Sequence, residues 1–219
     1  MLSQHSSDRG PGSSAIRTLL ALGCGALLLS GCASGPTRNG ADAAPGAPVS
    51  MQEIPPKVQT LYEQAVAAMA GGDRVDAELR FRSFLLQNPG YPGAHVNLAI
   101  LAAANGDDEA AAEHIRHALA LDPEHPAALN QLGMLERRHG RFVEAESAYL
   151  KAVTANPGYA LAHYNLGVLN ELYLQRLDAA LEHFERYLKF GGEDELVTKW
   201  VADLKRRIGA FERTANVTE

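Results

Sequence analysis

The feature that most limits what this chain can fold into is a 34-residue period that runs from residue 57 to residue 191. Prolines mark the period at Pro89, Pro123 and Pro157, and an Asn or Asp precedes each proline. An alanine recurs with the same spacing, each time four residues before a large side chain; the pairs are Ala77 with Phe81, Ala111 with Ile115, and Ala145 with Tyr149. Such a period indicates stacked structural units, which bury their apolar faces against one another.

The front of each unit has a second set of aligned positions. They are Leu61, His95, Leu129 and His163, followed by Gln64-Ala65, Leu98-Ala99, Leu132-Gly133 and Leu166-Gly167. This pattern resembles the tetratricopeptide repeat (TPR), in which W-x2-L-G-x2-Y is followed by A-x3-F and then by a proline. The match is strongest over 126–159. Four units in register disfavour the alternative of a generic helical bundle.

The resemblance implies an all-α fold, an α-solenoid of about four TPR helix pairs. The pairs are expected at 58–91, 92–125, 126–159 and 160–192. The fourth departs from the pattern, because Gly167 is 13 residues before Ala180 whereas Gly133 is 12 residues before Ala145. One residue is therefore inserted around 174–176, and we expect an irregular turn there.

A further helix is predicted over 193–213, and 214–219 form a short tail. Its apolar residues recur with helical period, at Val197, Trp200, Val201, Leu204, Ile208 and Phe211. Open stacks of repeats expose apolar surface at their ends, so we expect this helix to cap the fourth repeat. The alternative is that Trp200 anchors a partner, since tryptophan is favoured at binding hot spots.

Residues 1–31 have the organisation of an export signal. Arg9 and Arg17 precede an apolar run at 18–29, which is too short for a comfortable membrane span. The run ends in Leu29-Ser30-Gly31-Cys32. This tetrapeptide resembles the bacterial lipobox, which implies cleavage before Cys32, a diacylglycerol on its sulfur and an acyl group such as palmitate on its amine. An ordinary cleaved signal and an uncleaved anchor are the alternatives.

Residues 32–56 are rich in Gly, Ala and Pro and have no apolar period, so we expect a disordered tether. In lipoproteins, an Asp directly after the lipidated cysteine tends to retain the protein at the inner membrane. Ala33 occupies that position here. The resemblance therefore implies a lipid anchor in the bacterial outer membrane, on its periplasmic face.

Composition and motifs argue against several classes of function. Twenty basic residues are outnumbered by 26 acidic ones, for a net charge of −6, which disfavours nucleic acid as a partner. The two cysteines, Cys24 and Cys32, both precede the repeats and provide no zinc framework. The sequence has no Gly-rich phosphate loop, nucleophile elbow or Cys/His arrangement. We therefore expect no enzymatic activity, no cofactor and no small-molecule substrate.

The histidines of the repeats have two interpretations. His114 and His117 lie three residues apart on a predicted helix, a spacing that suits two metal ligands, but no third ligand follows in pattern. His95 and His163 occupy a column that usually holds an aromatic residue. We expect these histidines to pack between helices, and we predict no metal site.

The TPR resemblance also implies where a partner binds, because the first helix of each pair lines a concave groove in that family. Carried over by register, the predicted groove consists of Tyr62, Val66, Asn97, Ile100, Gln131, Met134, Arg138, Tyr164, Asn165 and Val168. The apolar and tyrosine content favours an amphipathic or partly apolar protein segment. Arg137 and Arg138 offer positive charge to an acidic group, although exposed arginines are more often simply solvated.

Asn97, Gln131 and Asn165 occupy one column of this groove. Their amides are suited to hydrogen bonds with the backbone of a bound peptide, or alternatively to joining one repeat to the next. Some family members clamp a terminal carboxylate with lysines and an asparagine. Here Tyr62 and Val66 replace two clamp residues, which disfavours that mode of binding.

Together these features predict a non-enzymatic scaffold that binds a protein or peptide in the groove and the membrane through its lipid. The chain resembles the TPR lipoproteins that act as pilotins for type IV pilus secretins, which favours a role in assembling a pilus or secretin-type envelope machine. It also resembles those that recruit peptidoglycan hydrolases. An adaptor for such a hydrolase, or for a glycan-export enzyme, is the alternative.

Overall fold

A computed structural model describes residues 55–215, apart from the side chains at positions 212, 214 and 215. The described residues form nine α-helices and no strand. The helices are α1 (Pro56–Ala70), α2 (Arg74–Gln87), α3 (Pro92–Ala104), α4 (Asp108–Leu121), α5 (Pro126–Arg138), α6 (Phe142–Ala155), α7 (Ala160–Leu172), α8 (Leu177–Gly191) and α9 (Glu195–Ala215).

Consecutive helices pack as the pairs α1/α2, α3/α4, α5/α6 and α7/α8, and the second helix of each pair also contacts the helix that follows it. The first helices contact one another directly, α3 with α5 and α5 with α7. This arrangement confirms the predicted α-solenoid of four helix pairs followed by a C-terminal helix. We call α1, α3, α5 and α7 the A helices, and α2, α4, α6 and α8 the B helices.

The turn inside each of the first three pairs has one repeated backbone geometry. Gly72, Gly106 and Gly140 have φ angles of 83°, 77° and 75°, a region that favours glycine because it has no Cβ. In the first turn Asp73 N donates to Ala68 O at 3.1 Å, which is the hydrogen bond of a Schellman motif that spans more residues. Equivalent hydrogen bonds close the other two turns. The first three A helices therefore end in the same way, at the same position of each repeat.

The fourth turn is irregular, as the inserted residue predicts. Gln175 lies between α7 and α8 with a φ of 55°, and it is the non-glycine residue with positive φ in the described part of the chain. Arg176 N reaches back to Asn170 O at 2.9 Å, which closes a wider turn than those of the first three pairs. The extra residue thus changes the connection and leaves the α7/α8 pair intact.

Each helix pair is held together by a small residue on the A helix that faces a large one on the B helix. Gly133 lies against Tyr149, and Gly167 lies against Phe184; both rings are fully buried. A Cβ on Gly133 would lie 2.5 Å from Cε1 of Tyr149, and one on Gly167 would lie 2.6 Å from Cδ1 of Phe184. The rings occupy the space that the missing side chains leave.

Helix α9 packs on α8 and covers the end of the fourth repeat. Val197, Val201 and Leu204 are buried in that contact. The half-buried Trp200 ring lies 5.6 Å from the ring of Phe184 and 6.2 Å from that of Tyr164, measured between centroids. The helix therefore has the packing of a cap, with Trp200 turned toward the repeats.

The predicted signal sequence, the lipidation site at Cys32 and all but the last two positions of the predicted tether lie outside the described residues. Within 55–215, the structure contains no helix with the length and apolar character needed to span a membrane.

We predict that Gly133→Ala and Gly167→Ala each lower the free energy of unfolding by about 1–2 kcal/mol. Overpacking of a core costs roughly 1–3 kcal/mol, and the better helix propensity of alanine offsets up to about 1 kcal/mol of it. Urea unfolding followed by circular dichroism measures the change. Gly90→Ala is the matched control, because nothing lies within 4 Å of a Cβ at that position. Equal stability of all three variants would contradict the proposed packing.

Candidate functional site

The ten residues of the predicted groove all lie on the A helices, and the structure divides them into two groups. One group is used between repeats or beneath α9: Tyr62, Asn97, Tyr164, Asn165 and Val168. The other lies on α1, α3 and α5 and is at least partly exposed: Val66, Ile100, Gln131 and Met134. Arg138 belongs with the first group, because its ion pair with Asp108 joins the second and third repeats, although its side chain is exposed.

Two of the three amides in the predicted column join one repeat to the next. Asn97 Nδ2 donates to the hydroxyl of Tyr62 at 2.8 Å, and Asn165 Nδ2 donates to Oδ1 of Asn130 at 2.9 Å. Asn165 and Asn130 are 6% and 1% exposed, so neither amide has room for a ligand. For Asn97 and Asn165 the geometry favours the inter-repeat interpretation over peptide binding.

The end of the groove on α7 is partly covered by α9. Tyr164 and Val168 pack against the cluster that contains Val197, Val201 and Leu204 of that helix. Arg207 of α9 also donates to Glu171 of α7 at 2.8 Å. The cap therefore takes up part of the surface that the repeat register assigns to a partner.

The open part of the groove lies between α1 and α5. Val66 is 39% exposed, and Ile100 and Met134 are half-buried. Gln131 makes no side-chain hydrogen bond within residues 55–215. Asn97 and Asn165 each bond to the residue 35 positions earlier in the chain. For Gln131 that residue is Val96, which offers no polar group.

The two neighbouring arginines of α5 have different surroundings. Arg138 forms an ion pair with Asp108 at 2.6 Å and donates to Ala103 O at 3.3 Å, so it joins the second and third repeats. Arg137 has no carboxylate partner in the described chain, and its Nε is buried without a hydrogen bond. Its guanidinium carbon lies 6.0 Å from the centroid of the Tyr173 ring.

Tyr149 lies beneath Arg137, close enough for its buried hydroxyl to interact with the guanidinium, although neither that hydroxyl nor Arg137 Nε has a well-aligned hydrogen bond. Burial raises the pKa of Tyr149 to about 12, and the positive charge of Arg137 acts in the opposite direction. Sequence reasoning named both arginines but placed Arg138 among the binding residues. The two arginines differ because Arg138 reaches Asp108, at the start of α4, and forms an ion pair with it.

The histidines form two equivalent pairs between an A helix and a B helix. His95 Nδ1 lies 3.3 Å from His114 Nδ1, and His163 Nδ1 lies 3.2 Å from His183 Nδ1. His163 is 1% exposed, and its Nε2 donates to Pro157 O at 3.0 Å. This geometry is that of packed histidines. No group of three or more potential metal ligands comes together in the described part of the chain.

Comparison with known proteins identifies the family. The sequence model of the tetratricopeptide repeat matches residues 62–126, 109–160 and 130–195, which together make up more than half of the chain. The chain therefore belongs to the tetratricopeptide repeat family, whose fold is that of a protein–protein interaction scaffold. No curated protein sequence matches it.

Three solved structures illustrate the likeness. PilF of Pseudomonas aeruginosa is 25% identical, with a TM-score of 0.62 over 70% of each chain. The O-GlcNAc transferase of Thermobaculum terrenum is 27% identical, with a TM-score of 0.54 over 59% of this chain and 26% of its own. The first TPR of Spaghetti (RPAP3), bound to the HSP90 peptide SRMEEVD, is 20% identical, with a TM-score of 0.50 over 54% of this chain and 95% of its own.

These relatives differ in chemistry, because one binds a peptide and another is an enzyme. TPR repeats themselves are typically non-catalytic, and no feature of the described residues indicates an enzyme. The absence of catalytic activity remains a prediction.

We predict that the folded protein loses stability as the pH falls from about 6.5 toward 4. Burial is the largest cause that lowers the pKa of all four paired histidines, to about 4 for His95 and His183. An unfolded histidine has a pKa of about 6.5. Below that pH the unfolded chain binds protons that the folded one does not, so unfolding becomes more favourable. Melting temperatures measured across this pH range test the effect.

Repeat three suggests the residues for a control variant, because it has Leu129 and Ala148 where repeat four has His163 and His183. The double variant His163→Leu/His183→Ala gives repeat four the same pair, and we expect a flatter pH profile. A profile as steep as that of the natural protein would assign the pH dependence to carboxylates instead.

Proposed function

We propose that this protein is a lipid-anchored scaffold on the periplasmic face of the bacterial outer membrane, where it binds protein partners during assembly of a pilus or secretin-type envelope machine. The observation behind the proposal is the surface of the A helices between α1 and α5, where Val66, Ile100, Gln131 and Met134 stay at least partly exposed. The lipobox-like sequence at 29–32 and the likeness to PilF support the cellular setting.

The anchor follows from the sequence before the repeats. A diacylglycerol on Cys32 supplies two acyl chains, and an acylated amine adds a third. One acyl chain gives marginal membrane binding, whereas two or more hold a protein stably. The tether of about 24 residues then gives the repeats a reach of roughly 25–30 Å, estimated as 5–6 Å multiplied by the square root of its length.

The open part of the groove indicates which kind of partner segment would bind there. Val66, Ile100 and Met134 present apolar surface along successive A helices, and Gln131 offers an amide beside them. An amphipathic segment binds such a surface by placing its apolar side chains in the groove. Methionine adapts its shape to different side chains, so the groove tolerates some variation in that segment.

We predict that Cys32→Ala abolishes lipidation and releases the protein from the membrane fraction. Metabolic labelling with an alkyne analogue of palmitate, followed by fractionation of the envelope, measures both effects. Cys24→Ala is the control and should keep the label, because Cys24 precedes the expected cleavage site. Label retained by Cys32→Ala would rule out this anchor.

We also predict that Val66→Glu lowers the recovery of partner proteins roughly tenfold or more, since it places a charge where apolar side chains pack. The measurement is capture from detergent-solubilised envelopes with the tagged full chain, followed by mass spectrometry. Val75→Glu is the control, because Val75 is 81% exposed on the B helix α2. Secretin subunits lost from the captured set only in Val66→Glu support the proposal; peptidoglycan hydrolases in their place would favour an adaptor.

A further inference from the structure

A small cavity lies between α3 and α5, in the open part of the groove. Its volume is about 70 Å³, and its walls include Ala103, Ile115, Gln131, Met134 and Arg137. At roughly 30 Å³ per water molecule, it has room for about two waters. A carboxylate fits such a space.

One of the residues that line the cavity is an arginine, Arg137. Other arginines near the A helices are paired, Arg138 with Asp108 at 2.6 Å and Arg207 with Glu171 at 2.8 Å. Arg137 has no carboxylate partner in the described chain, and its Nε is buried without a hydrogen bond. The buried hydroxyl of Tyr149 lies near Arg137 and is a neutral internal neighbour, so what Arg137 lacks among the described residues is an anion to balance its charge.

The surroundings of Arg137 are suited to an acidic ligand. Gln131 faces the same cavity, and its amide is a second hydrogen-bond donor without a partner in the described chain. Asp108 is the nearby carboxylate, and its charge is already offset by its ion pair with Arg138. Met134, Ile115 and Ala103 supply apolar contact for the methylenes of a side chain.

We propose that this cavity binds an aspartate or glutamate side chain of the partner segment, with Arg137 and Gln131 as the recognising residues. An arginine forms two parallel hydrogen bonds to a carboxylate, and partial burial strengthens them. This inference rests on the proposed scaffold function and adds the chemistry of its partner: an amphipathic segment with one acidic residue beside its apolar side chains.

The competing explanation is that Arg137 only packs over Tyr149 and Tyr173. Such a role affects folding but does not distinguish a glutamate from a glutamine in a ligand. A test must therefore measure that distinction.

Peptides are selected from a random phage-displayed library on the full chain, and the best is synthesised with a fluorescent label. A second peptide replaces its acidic residue by the corresponding amide. We expect enrichment of Asp or Glu among the selected peptides, and a preference for the acidic peptide of roughly tenfold or more, as for a hydrogen bond to a charged group. The preference should decrease with added salt.

Arg137→Gln should abolish the preference between the two peptides, and Arg137→Lys should retain part of it, because lysine keeps the charge but lacks the planar fork. Arg116→Gln is the control, since Arg116 is exposed on the B helix α4 and should leave the preference unchanged. Thermal unfolding of each variant identifies any loss of folding.

An unchanged preference in folded Arg137→Gln overturns the inference, as does selection without enrichment of acidic residues. If selected peptides lack that enrichment but lose binding in Val66→Glu, the scaffold proposal stands and the acidic site fails. If the natural protein selects no peptide, both fail.

Discussion

The contact between a small residue on each A helix and a large side chain on its B helix is the constraint on which the rest of this structure depends. Gly133 and Gly167 let the helices approach until Tyr149 and Phe184 are fully buried. This close approach fixes the distance between the two helices of a pair. It thereby sets where the outward positions of the A helices lie, and those positions form the candidate binding surface. Buried residues of the helix pairs thus position the candidate binding surface.

The A helices have two roles at once, since the same columns join neighbouring repeats and contribute to the candidate binding surface. The Asn97–Tyr62 and Asn165–Asn130 hydrogen bonds fulfil the first role at two of the three junctions between repeats. At the middle junction the equivalent position holds Val96, and Gln131 makes no side-chain hydrogen bond to any described residue. The open part of the candidate groove lies where this internal pairing is missing. Variation among otherwise similar repeats is therefore what makes one part of the surface distinct.

Much of the fold was predictable because local patterns decide it. The 34-residue period, the turn glycines and the proline positions indicate the helix pairs, and the extra residue near Gln175 indicates the irregular turn. The candidate site was less predictable. Repeat register places Arg137 and Arg138 on one surface, but the ion pair of Arg138 with Asp108 depends on a helix 30 residues earlier in the chain. Charge neutralisation between distant residues leaves no signal in a local pattern.

By itself, the sequence determined the class of protein, the number of helix pairs and the cap, because these follow from short-range periodicity and from the need to cover apolar surface. Tertiary structure alone decided which groove residues stay available. Whether an amide or a guanidinium is free depends on the side chain that faces it from the next repeat, about 35 positions away, and on the coverage by α9. The physical reason is that hydrogen bonds and ion pairs act over a few ångströms in space. Such distances are set by how the repeats stack, and they cannot be read from the repeat period of the sequence.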